Sequence, residues 1–187
     1  MRITVLTGGA SSERDVALAS TRQVVPALRS RGHSVVVVDT VTGFVPESRE
    51  AEHLLGAVGA TWPSVAELVE RERRFLLTAL GAMPEIREAD VVFLGLHGGR
   101  GEDGTVQTIL ETIGVPYTGS GPLGSAIAMD KDVSKRLFRD AGVPTADWLM
   151  TPTSAAVAGK RLGWPIVVKP SKQGSTVGLT VVKRSED

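Results

Sequence analysis

The sequence predicts a protein of the α/β class built around a parallel sheet. Two observations support this class: apolar runs of strand length alternate with stretches of helical periodicity, and Gly-rich polar segments follow the first and third of these runs. The chain has 187 residues, of which 42% are hydrophobic, so it is long enough to bury a core. We therefore expect one large or two small globular domains.

The first strand and the helix after it are predicted from the start of the chain. An apolar run over residues 2–7 ends at two glycines, and Ser11 or Ser12 is suitably placed to cap a following helix that runs to about residue 32. Because proline removes a backbone donor, we expect a kink or an early end at Pro26.

The middle of the chain supplies two further strands and a helix. Residues 33–40 are predicted as a fully buried strand because their apolar run is continuous and β-branched, whereas residues 41–62 show little pattern. An amphipathic helix is predicted over residues 63–80, with a solvated charge run at 70–74. The third strand is predicted over residues 89–96.

A helix that ends near Gly114 follows the third strand, and a Gly-rich turn then marks a domain boundary after residue 121. Beyond it the predicted elements are a helix over 125–141, a strand over 146–150, a short helix before Gly163, and strands over 165–169 and 178–183.

Composition excludes several function classes. Lys plus Arg and Asp plus Glu number 21 each, so no global field draws the chain to nucleic acid or to an acidic membrane. The chain has no cysteine for disulfides, a thiolate nucleophile or a Cys-based zinc site, which is consistent with the cytoplasm. The apolar run at residues 1–7 is too short for a signal peptide or a membrane span. We expect neither nucleic acid nor a membrane as a partner.

The segment GGASSERDVALAS places polar groups at a helix N-terminus, at the sheet edge where α/β folds bind ligands. Glu13 is placed there to bind a cation; alternatively, it only complements the helix dipole. The two glycines lack the spacing of a dinucleotide loop.

The segment HGGRGEDG follows the third strand at the same predicted edge and carries His97, Arg100, Glu102 and Asp103. Several polar strand-end loops that meet at one edge indicate a ligand site. The alternative is that His97 is structural and that Glu102 and Asp103 cap the next helix.

The segment KPSKQGSTVG is predicted as a hairpin turn whose backbone N–H groups can surround phosphate oxygens. It is not the common nucleotide loop, because Lys169 precedes the glycines and lies on a strand. Lys131 and Lys135 lie four residues apart on one helical face and can also present charge to a phosphate. The alternatives are a plain hairpin and ordinary exposed lysines.

Four segments in order, GGASSERDVALAS, LHGGRGEDGTVQTILETIGVPYTGSG, SAIAMDKDVSK and WPIVVKPSKQGSTVG, resemble the successive signatures of D-alanine–D-alanine ligases. The second segment is the most specific, and the resemblance covers nearly the whole chain apart from about residues 41–88. It implies a Rossmann-like parallel-sheet N-terminal domain over 1–121, followed by the incomplete first lobe of an ATP-grasp domain over 122–187.

The resemblance implies an activity and its ligands. In this family ATP phosphorylates the carboxylate of one D-alanine, and the amine of a second D-alanine attacks the acylphosphate to form the dipeptide used in peptidoglycan, and so in cell wall biogenesis and cell shape. D-alanine, ATP and Mg²⁺ are the implied ligands, and the implied assembly is a homodimer made through the N-terminal domain.

The resemblance also implies roles for particular residues. Glu13 would bind the ammonium of the first D-alanine, His97 would lie beside the same subsite, and Ser175 would join a hydrogen-bond network to Glu13. Lys131 and Lys169 would contact ATP phosphates. A small lid over the phosphates would comprise Gly174, Ser175, Thr176, Val177 and Gly178.

Two departures from the family pattern matter. Thr176 stands where many members have serine, and it keeps the hydroxyl. The family's adenine contacts, magnesium ligands and second D-alanine subsite lie beyond residue 187, so we expect this chain alone not to catalyse ligation. The alternatives are a non-catalytic fragment or binding module, and a ligase that adds D-lactate or D-serine.

Overall fold

A four-stranded sheet forms the centre of the first part of the chain. The computed structural model describes residues 1–56, 58–59 and 61–186. In the sheet order β3-β2-β1-β4, β1 pairs in parallel with β2 and β4, and β3 pairs with β2 in antiparallel orientation. The strands are β1 Arg2–Thr7, β2 Ser34–Asp39, β3 Gly43–Val45 and β4 Val91–Leu94. The predicted α/β class with a parallel sheet is confirmed.

The helices alternate with these strands and continue beyond them. They are α1 Arg14–Ser30, α2 Glu47–His53, α3 Val65–Arg74, α4 Leu77–Leu80, α5 Pro84–Arg87, the 3₁₀ turn Gly99–Gly101, α6 Thr105–Thr112, α7 Pro122–Met129, α8 Lys131–Asp140 and α9 Ala155–Leu162. A second sheet consists of β5 Ile166–Val168 and β6 Thr180–Val182, which pair in antiparallel orientation.

The backbone forms two compact units, Met1–Ala126 and Ile127–Asp187. The domain boundary predicted after residue 121 stays a prediction. None of the helices in the described ranges is both long enough and apolar enough to cross a bilayer.

Both faces of the first sheet carry buried side chains, which explains the continuous apolar runs of β2 and β4. Val5 and Val37 lie on one face and pack in a cluster with Val25 of α1. Val92 lies on the opposite face, in a cluster with Val106 and Leu110 of α6 and with other buried residues. Each fully buried side chain of this size stabilises the fold by roughly 1.5–3 kcal/mol, so the sheet positions the loops at its ends firmly.

The start and end of α1 differ from the prediction. Glu13 is the N-cap residue and no side chain caps the helix, so the predicted cap at Ser11 or Ser12 is wrong. The Ser11 hydroxyl donates to a distant carbonyl instead. The helix also continues through Pro26 to its end at Ser30, so it does not end early. Packing of one helix face outweighs the lost backbone bond.

In the middle region, too, the elements of the structure differ from the predicted ones, because of tertiary contacts. Residues 41–62, predicted to lack pattern, contain β3 and α2. The helix predicted over 63–80 is interrupted at Phe75, whose backbone is extended, and the next residue, Leu76, donates its N–H to the carbonyl of Thr40 at 2.8 Å. A backbone bond to the end of β2 therefore replaces a helical one.

Two predictions for the second part are wrong as well. The helix predicted over 125–141 is divided at Asp130, because the Asp130 carboxylate accepts hydrogen bonds from the N–H groups of Asp132 and Val133 and so caps α8. Residues 146–150, predicted as a strand, have no regular secondary structure. The short helix before Gly163 and the two final strands are present, although the strands are shorter than predicted.

Candidate functional site

The loops after β1 and β4 meet at the carboxyl edge of the first sheet. These strands are parallel neighbours, so their loops leave the sheet side by side. The Ser11 hydroxyl donates a 2.6 Å hydrogen bond to the carbonyl oxygen of His97 and accepts one from the N–H of Glu13 at 3.1 Å. One serine thus joins the two loops that sequence reasoning singled out.

The carboxylate of Glu13 lies against the backbone of Gly98. A Cβ atom added at Gly98 would lie only 2.6 Å from Glu13 Oε2, and Gly98 adopts φ of 67°. Only glycine combines this backbone conformation with such a close approach. The structure therefore brings Glu13 beside the loop that carries His97.

The imidazole of His97 is half-buried and faces α1. Its Nε2 atom lies 3.4 Å from the hydroxyl oxygen of Ser20. The imidazole can donate or accept in this pair, depending on its tautomer. The carboxyl edge thus holds an anionic group and an imidazole on adjoining loops, which is a suitable environment for a small cationic ligand.

Asp39, at the end of β2, forms a buried cluster that sequence reasoning missed. Its side chain is fully buried and accepts hydrogen bonds from Arg14, at 3.0 Å from Nη1 and also from Nη2. Its other hydrogen-bond partners are the Val41 N–H and His53 Nε2, both at 2.8 Å, and the Thr42 N–H at 3.4 Å. The sequence did contain an indication of this cluster: Asp39 is a charged residue at the end of a strand predicted to be buried, and a buried charge needs a partner.

The environment of Asp39 keeps it ionised. Burial raises its pKa, but hydrogen bonds and charge from Arg14, together with the Val41 N–H and His53, outweigh burial. The pKa of Asp39 therefore lies below its ordinary value. Arg14 also donates from Nη1 to the carbonyl oxygen of Gly9 at 3.1 Å. The cluster thus links the ends of β1 and β2 to the start of α1.

The other polar residues of HGGRGEDG stabilise the loop. Arg100 forms an ion pair with Glu72 of α3 and lies 5.4 Å from the centre of the Phe75 ring. Asp103 accepts a 2.9 Å hydrogen bond from the N–H of Thr105 at the start of α6, and the Gln107 amide donates to a carbonyl of the loop. These contacts favour a structural role for Arg100 and Asp103.

In the second unit, Lys131 contacts the loop between β5 and β6. Its ammonium donates to the carbonyl oxygens of Ser171, at 3.3 Å, and Gln173. The predicted hairpin is confirmed, because Ile166 pairs with Val182 and Val168 with Thr180 on either side of this loop.

The loop itself contains two residues with left-handed backbone conformations. Ser175 adopts φ of 50°, which non-glycine residues rarely do, and Gly178 adopts φ of 68°. Gly174 and Thr176 each provide a carbonyl oxygen that accepts a turn hydrogen bond, from Val177 and Leu179 respectively. The loop is therefore a pair of tight turns in which Ser175 is exposed.

Three lysines of this unit, Lys131, Lys135 and Lys169, are coupled electrostatically through Lys169. Burial lowers the pKa of Lys131, and the charge of Lys169 lowers it further. Burial, Lys169 and Arg139 likewise lower the pKa of Lys135. A bound anion would relieve this repulsion, which is what a phosphate site requires.

The predicted site residues fall into the two units. Glu13 and His97 belong to the first unit, and Lys131, Lys169 and Ser175 belong to the second. The hydrogen-bond link predicted from Ser175 to Glu13 stays a prediction. Within residues 1–56, 58–59 and 61–186 no group of three or more His, Cys, Asp or Glu side chains could hold a metal ion.

Solved structures share this fold along the whole chain. The D-alanine-D-alanine ligase from Coxiella burnetii has a TM-score of 0.72 at 26% identity and matches 100% of this chain and 57% of its own. The D-alanyl-alanine synthetase A from Vibrio cholerae has a TM-score of 0.70 at 28% identity, with coverages of 100% and 53%. A D-alanine–D-alanine ligase from Bacillus anthracis, solved in complex with ATP, has a TM-score of 0.65 at 29% identity, with coverages of 100% and 51%. The chain thus shares the fold of ligases of the ATP-grasp class.

The chain belongs to the D-alanine–D-alanine ligase family. The family model for the D-ala D-ala ligase N-terminus matches residues 2–120, and the model for the C-terminus matches residues 137–187. D-alanine–D-alanine ligases from Synechococcus sp. (strain JA-3-3Ab) and Geobacter sulfurreducens are each 40% identical to it, over 98% and 100% of this chain. The chain covers 48% of each of these two proteins, so it spans about half the length of the curated relatives it matches.

Proposed function

We propose that this chain supplies the first D-alanine subsite and part of the phosphate site of an enzyme that joins two D-alanines with ATP. ATP transfers its γ-phosphoryl group to the carboxylate of one D-alanine. The amine of the second D-alanine then attacks that carbonyl carbon, forms the peptide bond and displaces phosphate. The placement of the Glu13 carboxylate against Gly98, beside His97, carries this proposal.

Glu13 would bind the ammonium group of the first D-alanine. Its carboxylate makes no ion pair with any side chain among the described residues, so a cationic ligand would not have to displace one. His97 would lie beside the same ligand, with its imidazole oriented by Ser20. The chemistry of this edge therefore suits a small amino acid whose carboxylate remains accessible for phosphorylation.

Lys131 and Lys169 would bind ATP phosphates, where a cation stabilises the charge that is redistributed as the phosphoryl group transfers. The loop of Gly174, Ser175, Thr176, Val177 and Gly178 would cover the phosphates with its backbone N–H groups. Ser175 would extend the hydrogen-bond network towards Glu13.

Magnesium, which the family resemblance implies, belongs to this proposal as a cofactor whose ligands in the family pattern lie beyond residue 187. Among the described residues, no group of His, Cys, Asp or Glu side chains is assigned to it. We further propose a cytoplasmic location, a homodimer formed through residues 1–121, and a product used in peptidoglycan. The proposal includes no nucleic-acid or membrane partner, because the positive and negative charges of the chain are balanced.

A second candidate is a fragment or binding module without catalysis. The chimera experiment described below distinguishes this candidate from the ligase. A ligase that adds D-lactate or D-serine to D-alanine is the third candidate, since the proposed first subsite suits all three reactions equally.

The test compares the chain with a chimera in which it replaces the matching half of the Geobacter sulfurreducens ligase. We expect D-alanine-dependent ADP release from the chimera and none from the 187-residue chain alone. E13Q should raise the KM for D-alanine about thirtyfold or more, because a charge pair to the ammonium is lost. The matched control is E47Q, on an exposed residue of α2.

Each candidate has its own outcome. ADP release that does not depend on D-alanine, or an E13Q variant that keeps the wild-type KM, would contradict the ligase proposal. Turnover by the chain alone would contradict its expected inactivity. Mass spectrometry of products made with D-lactate or D-serine in the mixture distinguishes the third candidate.

A further inference from the structure

The start of α1 carries two adjacent charges that point to opposite neighbours of β1. Arg14 forms its ion pair with Asp39 at the end of β2, whereas Glu13 lies against Gly98 in the loop after β4. In the sheet order, β2 and β4 flank β1 on its two sides. The helix therefore begins with its cation held on one side and its anion on the other.

The Arg14–Asp39 pair is enclosed. The Arg14 side chain is 12% exposed and that of Asp39 is fully buried. A Cβ atom at Gly8 would overlap both the Asp39 carboxylate and the Arg14 guanidinium, so a glycine is needed for the pair to form there. The two donors of the guanidinium reach the two oxygens of the carboxylate, which is the geometry that holds an arginine most firmly.

Without Asp39, the Arg14 guanidinium would keep the carbonyl oxygen of Gly9 as a partner but would lose its anion. A buried guanidinium without an anion is unfavourable, and Glu13, the preceding residue, carries a carboxylate that has no ion pair among the described residues. An Arg14–Glu13 pair would neutralise the group that the proposed function requires to be free. The fully buried carboxylate of Asp39 thus prevents competition for Glu13.

We propose that Asp39 is a positioning residue: by engaging Arg14, it keeps the Glu13 carboxylate unpaired and directed at Gly98. The identity of the ligand that Glu13 then binds rests on the proposed function. The role of Asp39 is a property of this unit and can be tested without that function.

The chain offers a matched control at the other end of the same helix. Arg29 of α1 forms a two-donor ion pair with the buried Glu50 of α2, at 2.8 and 2.9 Å. The side chains of Arg29 and Glu50 are 29% and 9% exposed. E50Q therefore removes a buried carboxylate from an arginine of α1, as D39N does, but far from Glu13.

The experiment uses ¹³C and ¹⁵N NMR of the 187-residue chain at neutral pH. The Cδ signal of Glu13, assigned by its loss in E13Q, and the amide signal of Gly98 report the position of the carboxylate. We expect D39N to shift both signals and E50Q to leave both unchanged. The double variant R14Q/D39N removes the competing cation and should return both signals to their wild-type positions.

Titration with D-alanine supplies a second readout. We expect the wild type and E50Q to respond over the same concentration range, D39N to require at least about fivefold more D-alanine, and R14Q/D39N to regain the wild-type range. A wild-type chain that does not respond to D-alanine counts against the proposed function, while the ligand-free signals still decide the role of Asp39.

Wild-type signals in D39N, or signals in R14Q/D39N displaced as far as those in D39N, would overturn the proposal. If D39N does not fold in buffer, its two signals are measured in the osmolyte TMAO, which favours the folded state. Displaced signals for D39N there, together with wild-type signals for the double variant, support the role of Asp39. Wild-type signals for D39N, or displaced signals for the double variant, refute it.

Discussion

The hydroxyl of Ser11 donates a 2.6 Å hydrogen bond to the carbonyl oxygen of His97, 86 residues further along the chain. This bond joins the loop after β1 directly to the loop after β4. The pairing of the two strands joins the strands themselves, and a helix cap would join Ser11 only to its own helix. Glu13 and His97 can serve one ligand only if these two loops keep a constant spacing. The stability of this link is therefore the first quantity to measure.

Replacing Ser11 with alanine should lower the free energy of unfolding by about 1 kcal/mol, the usual net value of one hydrogen bond. Urea denaturation of the wild type and S11A measures it. S12A is the control, because the Ser12 hydroxyl makes no hydrogen bond within the described part of the chain. Equal unfolding free energies for S11A and S12A would show that the link contributes nothing.

Substitution of Gly98 and of Gly114 with alanine distinguishes the cost of backbone strain from the cost of a steric clash. Both have positive φ, 67° and 73°, but a Cβ at Gly98 would lie 2.6 Å from Glu13 Oε2, whereas one at Gly114 would meet nothing within 4 Å. G114A should cost about 1–2 kcal/mol from the left-handed conformation alone. We expect G98A to cost more in thermal or urea unfolding. Equal costs would mean that Glu13 does not lie against Gly98.

The Asp39 ion pair should make stability depend on pH in one direction. Because the folded-state pKa of Asp39 is lowered, the native chain binds fewer protons than the unfolded chain between the two pKa values. The stabilisation is complete above the ordinary pKa of about 4 and is lost as the pH falls through the folded value. D39N should therefore destabilise by about 3 kcal/mol at pH 7 and by progressively less below about pH 4.

Urea unfolding of the wild type and D39N over this pH range measures the difference. E13Q serves as the control, because Glu13 is not part of the ion pair. A destabilisation by D39N that stays constant down to acid pH would show that Asp39 is not held ionised by Arg14.

The lysine group of the second unit should bind inorganic tripolyphosphate. Lys169 lowers the pKa of both Lys131 and Lys135, so its charge acts on the same region. K169M should weaken tripolyphosphate binding about tenfold, the loss expected for one charged hydrogen bond. Isothermal titration measures it, with K160M on the exposed face of α9 as the control. Equal weakening by both substitutions would indicate non-specific charge attraction.

The local sequence pattern was sufficient to predict those elements whose apolar residues recur with the period of a strand or helix. β1 lies at residues Arg2–Thr7 as predicted, and the hairpin of β5 and β6 encloses the predicted loop. Alternation and apolar runs are properties of neighbouring residues, so they can be read along the chain. The signature segments carried the family resemblance in the same way.

Prediction from sequence failed where a polar group forms a hydrogen bond with a residue far away in the sequence instead of with its own helix. The cap expected from Ser11 is absent because the helix begins later, with Glu13 as its N-cap, while the Ser11 hydroxyl bridges the Glu13 N–H and the carbonyl oxygen of His97. The helix predicted over 63–80 is interrupted where the Leu76 N–H donates to the carbonyl oxygen of Thr40. Asp39 was overlooked because its partner Arg14 precedes it by 25 residues. Contacts between residues so far apart in sequence depend on which strands lie next to each other in the sheet, which local sequence patterns do not reveal.

The sequence by itself determined the α/β class, the main strands and helices, the family, and the chemical types gathered in each strand-end loop. Only the tertiary structure decided that Arg14 turns to Asp39 and Glu13 to Gly98. The physical reason is the sheet order β2-β1-β4, which places one partner on each side of the same helix start. That order arises from burying two apolar faces at once, a property of the whole fold.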